Sequence, residues 1–70
     1  MAQYLITVLY NAQCGLGDKM FKKGDVFIME CLNNPEGNIR HYAEPYFAKQ
    51  GIKLLGNWSS SNFSVKKING

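Results

Sequence analysis

The residue pattern predicts an α+β fold: a small curved antiparallel sheet, or an SH3-like open barrel, of about four strands with one short helix. Several short segments alternate apolar residues in the manner of strands, and one later segment repeats them every three or four positions in the manner of a helix. Seventy residues suffice for one hydrophobic core, so residues 1–70 are expected to form a single domain.

The clearest strand signals lie in the first half of the chain. Residues 2–11 are apolar on both alternating faces, which favours a central strand or one curled inside a small barrel. Residues 26–32 predict a second strand with two apolar faces, interrupted only by Glu30. Residues 13–18 contain two glycines and an aspartate, and we expect them to form a turn.

One helix is predicted from apolar residues spaced at i, i+3, i+4, i+7 and i+8, namely Ile39, Tyr42, Ala43, Tyr46 and Phe47. It covers residues 38–50, with Asn34 and Pro35 as candidates for the cap and the first position, and Gly51 as the end. Pro45 opposes a straight helix, because an internal proline costs about 3 kcal/mol. Either the helix kinks at Pro45, or it begins just before this residue.

The last third of the chain predicts two more strands, over residues 52–55 and 63–69. Between them Trp58 stands at the head of a polar loop that contains three serines. The placement of this tryptophan beside polar residues leaves open whether it is buried or exposed.

No group of residues indicates catalysis or metal binding. His41 is the single histidine, and neither Cys14 nor Cys31 has the spacing of a zinc site. A cysteine in an apolar strand commonly acts as a small hydrophobic residue. Gly15 and Gly17 lack the third glycine of a dinucleotide-binding loop. We therefore expect no enzyme activity, cofactor, metal or small-molecule substrate.

Targeting signals and membrane spans are also not evident. The first residues lack the charged start of a signal peptide, and no apolar run reaches the roughly 18 residues of a transmembrane helix. We expect a soluble cytoplasmic protein without membrane association, in which Cys14 and Cys31 are free thiols.

The charge distribution suggests a nucleic-acid partner. The chain has a net charge of +3, and four of its lysines form two adjacent pairs, Lys22–Lys23 and Lys66–Lys67. Small nucleic-acid-binding domains combine lysines that contact phosphates with aromatic residues that stack on bases. We expect a curled sheet to bring the two pairs together, with Trp58 as the stacking residue and Tyr10 or Tyr42 as further platforms.

A protein partner, or a second copy of the chain, is the alternative. Tyrosine and tryptophan are common anchors of protein interfaces, and Tyr42, Tyr46 and Trp58 are the candidates here. A free sheet edge also invites strand addition or dimerisation. The alternative protein would be an inhibitor, an adaptor or a component of a particle.

The segment order resembles that of small α+β proteins encoded by bacteriophages and other mobile elements. The resemblance lies in the leading strand, the segment Phe21–Val26, the short helix and the closing segment Phe63–Ile68. The Phe-x-x-Gly-Asp-Val corner is also similar to turns in SH3-like barrels. This resemblance implies a non-enzymatic accessory role, with action inside a bacterial host cell, and assigns no site residue.

Overall fold

The computed structural model describes residues 1–70, which form six strands, one α-helix and one short 3-10 helix. In chain order the elements are β1 (Ala2–Val8), β2 (Cys14–Leu16), β3 (Lys19–Met20), β4 (Val26–Cys31), α1 (Ile39–Ala48), β5 (Leu54–Gly56), the 3-10 helix (Ser60–Asn62) and β6 (Phe63–Asn69). The α+β class predicted from the sequence is therefore confirmed.

β1 is the central strand of the larger sheet. It pairs antiparallel with β4 on one side and with β6 on the other, so Tyr4 lies opposite Met29 and opposite Lys67. Its even-numbered residues are buried and its odd-numbered residues are half-buried. The continuous apolar pattern of residues 2–11 correctly predicted this central position, although the strand ends at Val8.

β2, β3 and β5 form a second antiparallel sheet in the order β3-β2-β5. The turn predicted over residues 13–18 is confirmed at Gly17 and Asp18, which join β2 to β3, but Cys14–Leu16 is the central strand of this sheet. Gly15 makes the pairing possible: a Cβ atom at this position would overlap the carbonyl oxygen of Lys19 on β3. The glycine therefore serves close strand approach, and this reason is hard to recognise in a short segment.

The two sheets are not closed into a barrel. Each has three strands, and none of the strands in one sheet pairs with a strand in the other. The sequence predicted about four strands and missed β2 and β3, which have only three and two residues. Such short segments carry too little alternation to be recognised.

Helix α1 begins after Asn38 and includes Pro45 in its interior. The caps predicted at Asn34 and Pro35 were wrong, since Asn34 Oδ1 instead accepts a hydrogen bond from the Glu36 N–H at 2.9 Å. The end near Gly51 was correct. There the Ile52 N–H donates to the Phe47 carbonyl at 2.9 Å, and Gly51 has a φ of 74°.

The core lies between the inner face of the larger sheet, α1 and the second sheet. Twelve buried apolar residues form one cluster. Trp58 lies at its centre, with ring centroids of Phe21, Phe27, Phe47 and Phe63 between 4.9 and 6.2 Å away. Its Nε1–H donates a hydrogen bond to the Gly15 carbonyl at 3.2 Å. The loop that carries Trp58 is thereby attached to β2.

Both cysteines are buried free thiols, Cys14 on β2 and Cys31 on β4. Burial raises the pKa of each thiol above its ordinary value of 9.0, because the thiolate loses hydration.

This shift predicts that the protein loses stability at alkaline pH. Above pH 9.0 the unfolded chain loses thiol protons that the folded chain retains. The contribution of the protonated, buried thiols to the free energy of unfolding is therefore fully present below that pH and declines as the pH rises. Urea denaturation at about pH 8 and about pH 10 should show a smaller decline in the unfolding free energy for the Cys14→Ala, Cys31→Ala double variant than for the wild type. Equal declines in the two proteins would contradict this prediction.

α1 has ten residues, and none of the helices is both long enough and apolar enough to cross a membrane.

Candidate functional site

Trp58 does not lie on the surface. Its side chain is 2 % exposed and is surrounded by the aromatic residues of the core. The expectation that it stacks on a nucleotide base is therefore corrected, as is its role as an anchor for a protein partner. Stacking needs an accessible ring face, and burial removes it.

Lys22 and Lys23 lie in the turn that precedes β4. The Lys22 N–H donates to Asp25 Oδ2 at 2.8 Å, and the Lys23 N–H donates to Asn11 Oδ1 at 2.7 Å. These two bonds fix the backbone of the turn, while both lysine side chains are exposed. This pair therefore lies beside the start of β4.

Lys66 and Lys67 lie on β6, at the opposite edge of the larger sheet. Lys66 pairs with Leu5, whose side chain is on the outer face, and Lys67 pairs with the inward-facing Tyr4. Because neighbouring residues of a strand point to opposite faces, the two lysines do not form one patch. β4 and β6 are separated by β1, a distance of about 10 Å between their backbones. The structure therefore does not bring the two lysine pairs together.

Tyr42 and Tyr46 do come together. They line a groove of about 510 Å³ between α1 and the last residues of β4. Both tyrosines are half-buried, while Leu32 on the opposite wall is 76 % exposed and Met1 is 79 % exposed. The groove also contains His41, Lys49 and Glu30. Tyr10 is separate from it, as an exposed residue just after β1.

The groove adjoins the free edge of β4. The Val8 N–H donates to the Asp25 carbonyl at 2.8 Å, which shows that even-numbered residues of β1 bond toward β4. In an antiparallel pair the bonded positions alternate along each strand. Phe27 and Met29 consequently bond to β1. The N–H and C=O groups of Val26, Ile28 and Glu30 point away from β1, and β4 has no other neighbouring strand.

The outer face of this edge is apolar. Val26 is 57 % exposed and Ile28 is 48 % exposed, and Ile28 lies beside the half-buried Leu5 of β1. Glu30 is the single charged residue of β4, and the one ion pair in the structure joins Arg40 to Glu44 on α1. The Glu30 carboxylate thus forms no ion pair within the chain.

The free edge of β6 has a different character. The Leu9 N–H donates to the Asn62 carbonyl at 2.9 Å, so the same alternation leaves the N–H and C=O groups of Val65 and Lys67 pointing outward. A bulge interrupts the register between Gln3 and Tyr4, where Ile68 is the extra residue on β6. The lysines disfavour pairing of this edge with the same edge of a second copy, because like charges on adjacent strands repel.

The sequence did not identify the β4 edge. Residues 26–32 were interpreted as a strand with two filled faces, but β4 is an edge strand and its outer-face residues Val26, Ile28 and Glu30 are exposed. An edge strand has one neighbouring strand and a central strand has two, and the alternation of apolar residues in the sequence does not distinguish the two cases. The single charge at Glu30 and the short polar segment after Leu32 were the only signals.

No family model, curated protein or solved structure matches this chain. The resemblance to proteins of bacteriophages and mobile elements stays a prediction.

Proposed function

We propose that this protein is a small non-enzymatic binding module that takes up an extended segment of a partner protein as an additional strand at the free edge of β4. The observation that carries this proposal is the row of backbone groups at Val26, Ile28 and Glu30 that lack partners next to a groove lined by Tyr42 and Tyr46.

An extended polypeptide fits both features of the site. Its backbone supplies N–H and C=O groups at the spacing of the β4 edge, which is how strand addition gains affinity. Its side chains would alternate between the two faces of the enlarged sheet. Those on the inner face would enter the groove against Tyr42 and Tyr46, and those on the outer face would cover Ile28.

Nucleic-acid binding has less support. It depended on Trp58 as a stacking residue and on two lysine pairs in one groove, and neither arrangement is present. The exposed lysines still give the chain a net charge of +3. Binding of this class therefore stays a prediction, with a salt dependence that distinguishes it from peptide binding.

The proposal is tested by selecting random linear peptides on the immobilised protein and measuring their affinities for two proline variants. Ile28→Pro removes an N–H that points away from β1, so it leaves the sheet intact. It interrupts the row of backbone groups to which a peptide strand would bond. We expect at least about 10-fold weaker peptide binding in Ile28→Pro, because a hydrogen bond and the adjacent contacts are lost.

Lys67→Pro is the matched control, because it removes an outward N–H from the other edge of the same sheet. Selected peptides should bind this variant with wild-type affinity. Equal peptide affinity for the wild type and Ile28→Pro would contradict the proposal. Saturable binding of an oligonucleotide that weakens steeply with salt, without competition by the peptides, would support the nucleic-acid function instead.

A further inference from the structure

We propose that the β4 edge of one copy binds the β6 edge of a second copy, so that the protein assembles head to tail through a continuous sheet. This inference rests on the proposed function, since it names the occupant of the same edge. The added strand is β6, residues 63–69, of another molecule.

The strand directions permit this contact. β4 and β6 both run antiparallel to β1, so they run parallel to each other. When two copies lie side by side with their core faces on the same side, β6 of one is therefore parallel to β4 of the other. The two sheets then continue into one another without either copy being inverted.

The hydrogen-bonding groups also match. In a parallel pair, a residue whose N–H and C=O groups point toward the adjacent strand does not bond to the residue directly opposite. Its two groups bond instead to the residues just before and just after that opposite residue. The N–H and C=O groups of Glu30 point away from β1 at the β4 edge. Those of Val65 and Lys67 point away from β1 at the β6 edge. With Glu30 opposite Lys66 of the second copy, the Glu30 N–H can donate to the Val65 carbonyl, and the Lys67 N–H can donate to the Glu30 carbonyl.

This register pairs opposite charges. Glu30 and Lys66 both lie on the outer face, and neither forms an ion pair within its own chain. Opposite charges beside one another on adjacent strands stabilise a sheet, whereas like charges destabilise it. Pairing of two β6 edges would bring lysines together, and pairing of two β4 edges centred on Glu30 would bring carboxylates together. The charges therefore favour contact between unlike edges.

The inner face of the contact uses the groove. Val65 and Lys67 point to the same side of β6 as the buried Phe63. In the assembled sheet they face the groove between β4 and α1, where Tyr42 and Tyr46 lie. Valine supplies apolar contact to these rings, and the lysine ammonium can approach a tyrosine ring face. The contact joins different surfaces of two copies, so it repeats from one copy to the next.

The test is sedimentation of the wild type and two charge variants at protein concentrations from about 10 μM to about 1 mM, a range in which interfaces of small area associate. We expect the wild type to associate as its concentration rises. Glu30→Lys and Lys66→Glu should each weaken association by about 5-fold to 10-fold, because each replaces an attractive pair by a repulsive one. Both substitutions are at exposed positions, and circular dichroism checks that each variant is folded.

The decisive sample is an equimolar mixture of Glu30→Lys and Lys66→Glu. Each junction between unlike variants again joins opposite charges, so association should return to the wild-type level. A wild type that stays monomeric throughout, or a mixture no more associated than its components, would overturn the inference. The proposed function is judged separately: peptides that lose affinity for Ile28→Pro would support strand addition at β4 even if the protein were monomeric.

Discussion

Replacement of Trp58 by alanine is expected to destabilise the protein by about 4 kcal/mol, the usual cost of truncating a buried tryptophan. The side chain contacts four phenylalanine rings at the centre of the core, so its removal leaves a cavity bordered by β4, β6, α1 and the segment that precedes β4. The Gly15 carbonyl also loses the indole N–H that donates to it at 3.2 Å. Since small domains are stable by about 0.05–0.15 kcal/mol per residue, this loss removes a large part of the total.

Thermal or urea denaturation followed by circular dichroism measures the effect, because the variant lacks the fluorescent side chain. Trp58→Phe is the control: it retains an aromatic ring but not the N–H, and should be destabilised much less than Trp58→Ala. A Trp58→Ala variant as stable as the wild type would show that Trp58 does not lie in the core.

The second large effect is expected for Gly15→Ala, with a loss of about 3 kcal/mol from overpacking. An added Cβ would overlap the Lys19 carbonyl and would lie 2.7 Å from the Met20 Cα, both of which are backbone atoms of β3. These atoms cannot move aside as a flexible side chain could. The substitution should therefore separate β3 from β2 and disturb the attachment of Trp58 to the Gly15 carbonyl.

Gly37→Ala is the control for Gly15→Ala, because it tests the cost of backbone strain alone, without steric overlap. Gly37 has a φ of 81°, and an added Cβ would have no atom within 4 Å, so alanine there strains the backbone but overlaps no neighbouring atom. We expect a loss of about 1–2 kcal/mol for Gly37→Ala. Urea denaturation of both variants provides the comparison, and a loss at position 15 no larger than that at position 37 would contradict the close approach of β2 and β3.

The strong periodic segments were predictable from the sequence. β1, β4, α1 and β6 each have six or more residues, which is enough for alternation or helical spacing to be recognised. Pro45 illustrates a tertiary effect that local preference does not capture. It is exposed, while Ile39, Ala43 and Phe47 on the same helix are buried. Packing of that apolar face outweighs the single hydrogen bond that proline removes.

The candidate site was less predictable, because it depends on which strands become neighbours. Tyr42 and Tyr46 lie on one face of α1, as helical spacing predicts, and both line the groove, while their role in binding stays a prediction. Lys66 and Lys67 looked like a pair, but adjacent positions in a strand point to opposite faces. Trp58 was ambiguous because its neighbours in sequence are serines, whereas its neighbours in space are aromatic.

The structure assigns different properties to the two edges of the larger sheet. The β4 edge is apolar with one carboxylate and adjoins a groove, whereas the β6 edge carries two lysines and a bulge. The asymmetry favours a module in which β4 accepts a strand.

Amide hydrogen exchange along β4, with and without a selected peptide, tests the central claim most directly. In dilute protein we expect slow exchange at Phe27 and Met29, which bond to β1, and fast exchange at Ile28 and Glu30, which point outward. Bound peptide should slow exchange at Ile28 and Glu30 and so remove the alternation. Fast exchange at these two amides in the saturated complex would contradict strand addition at the β4 edge.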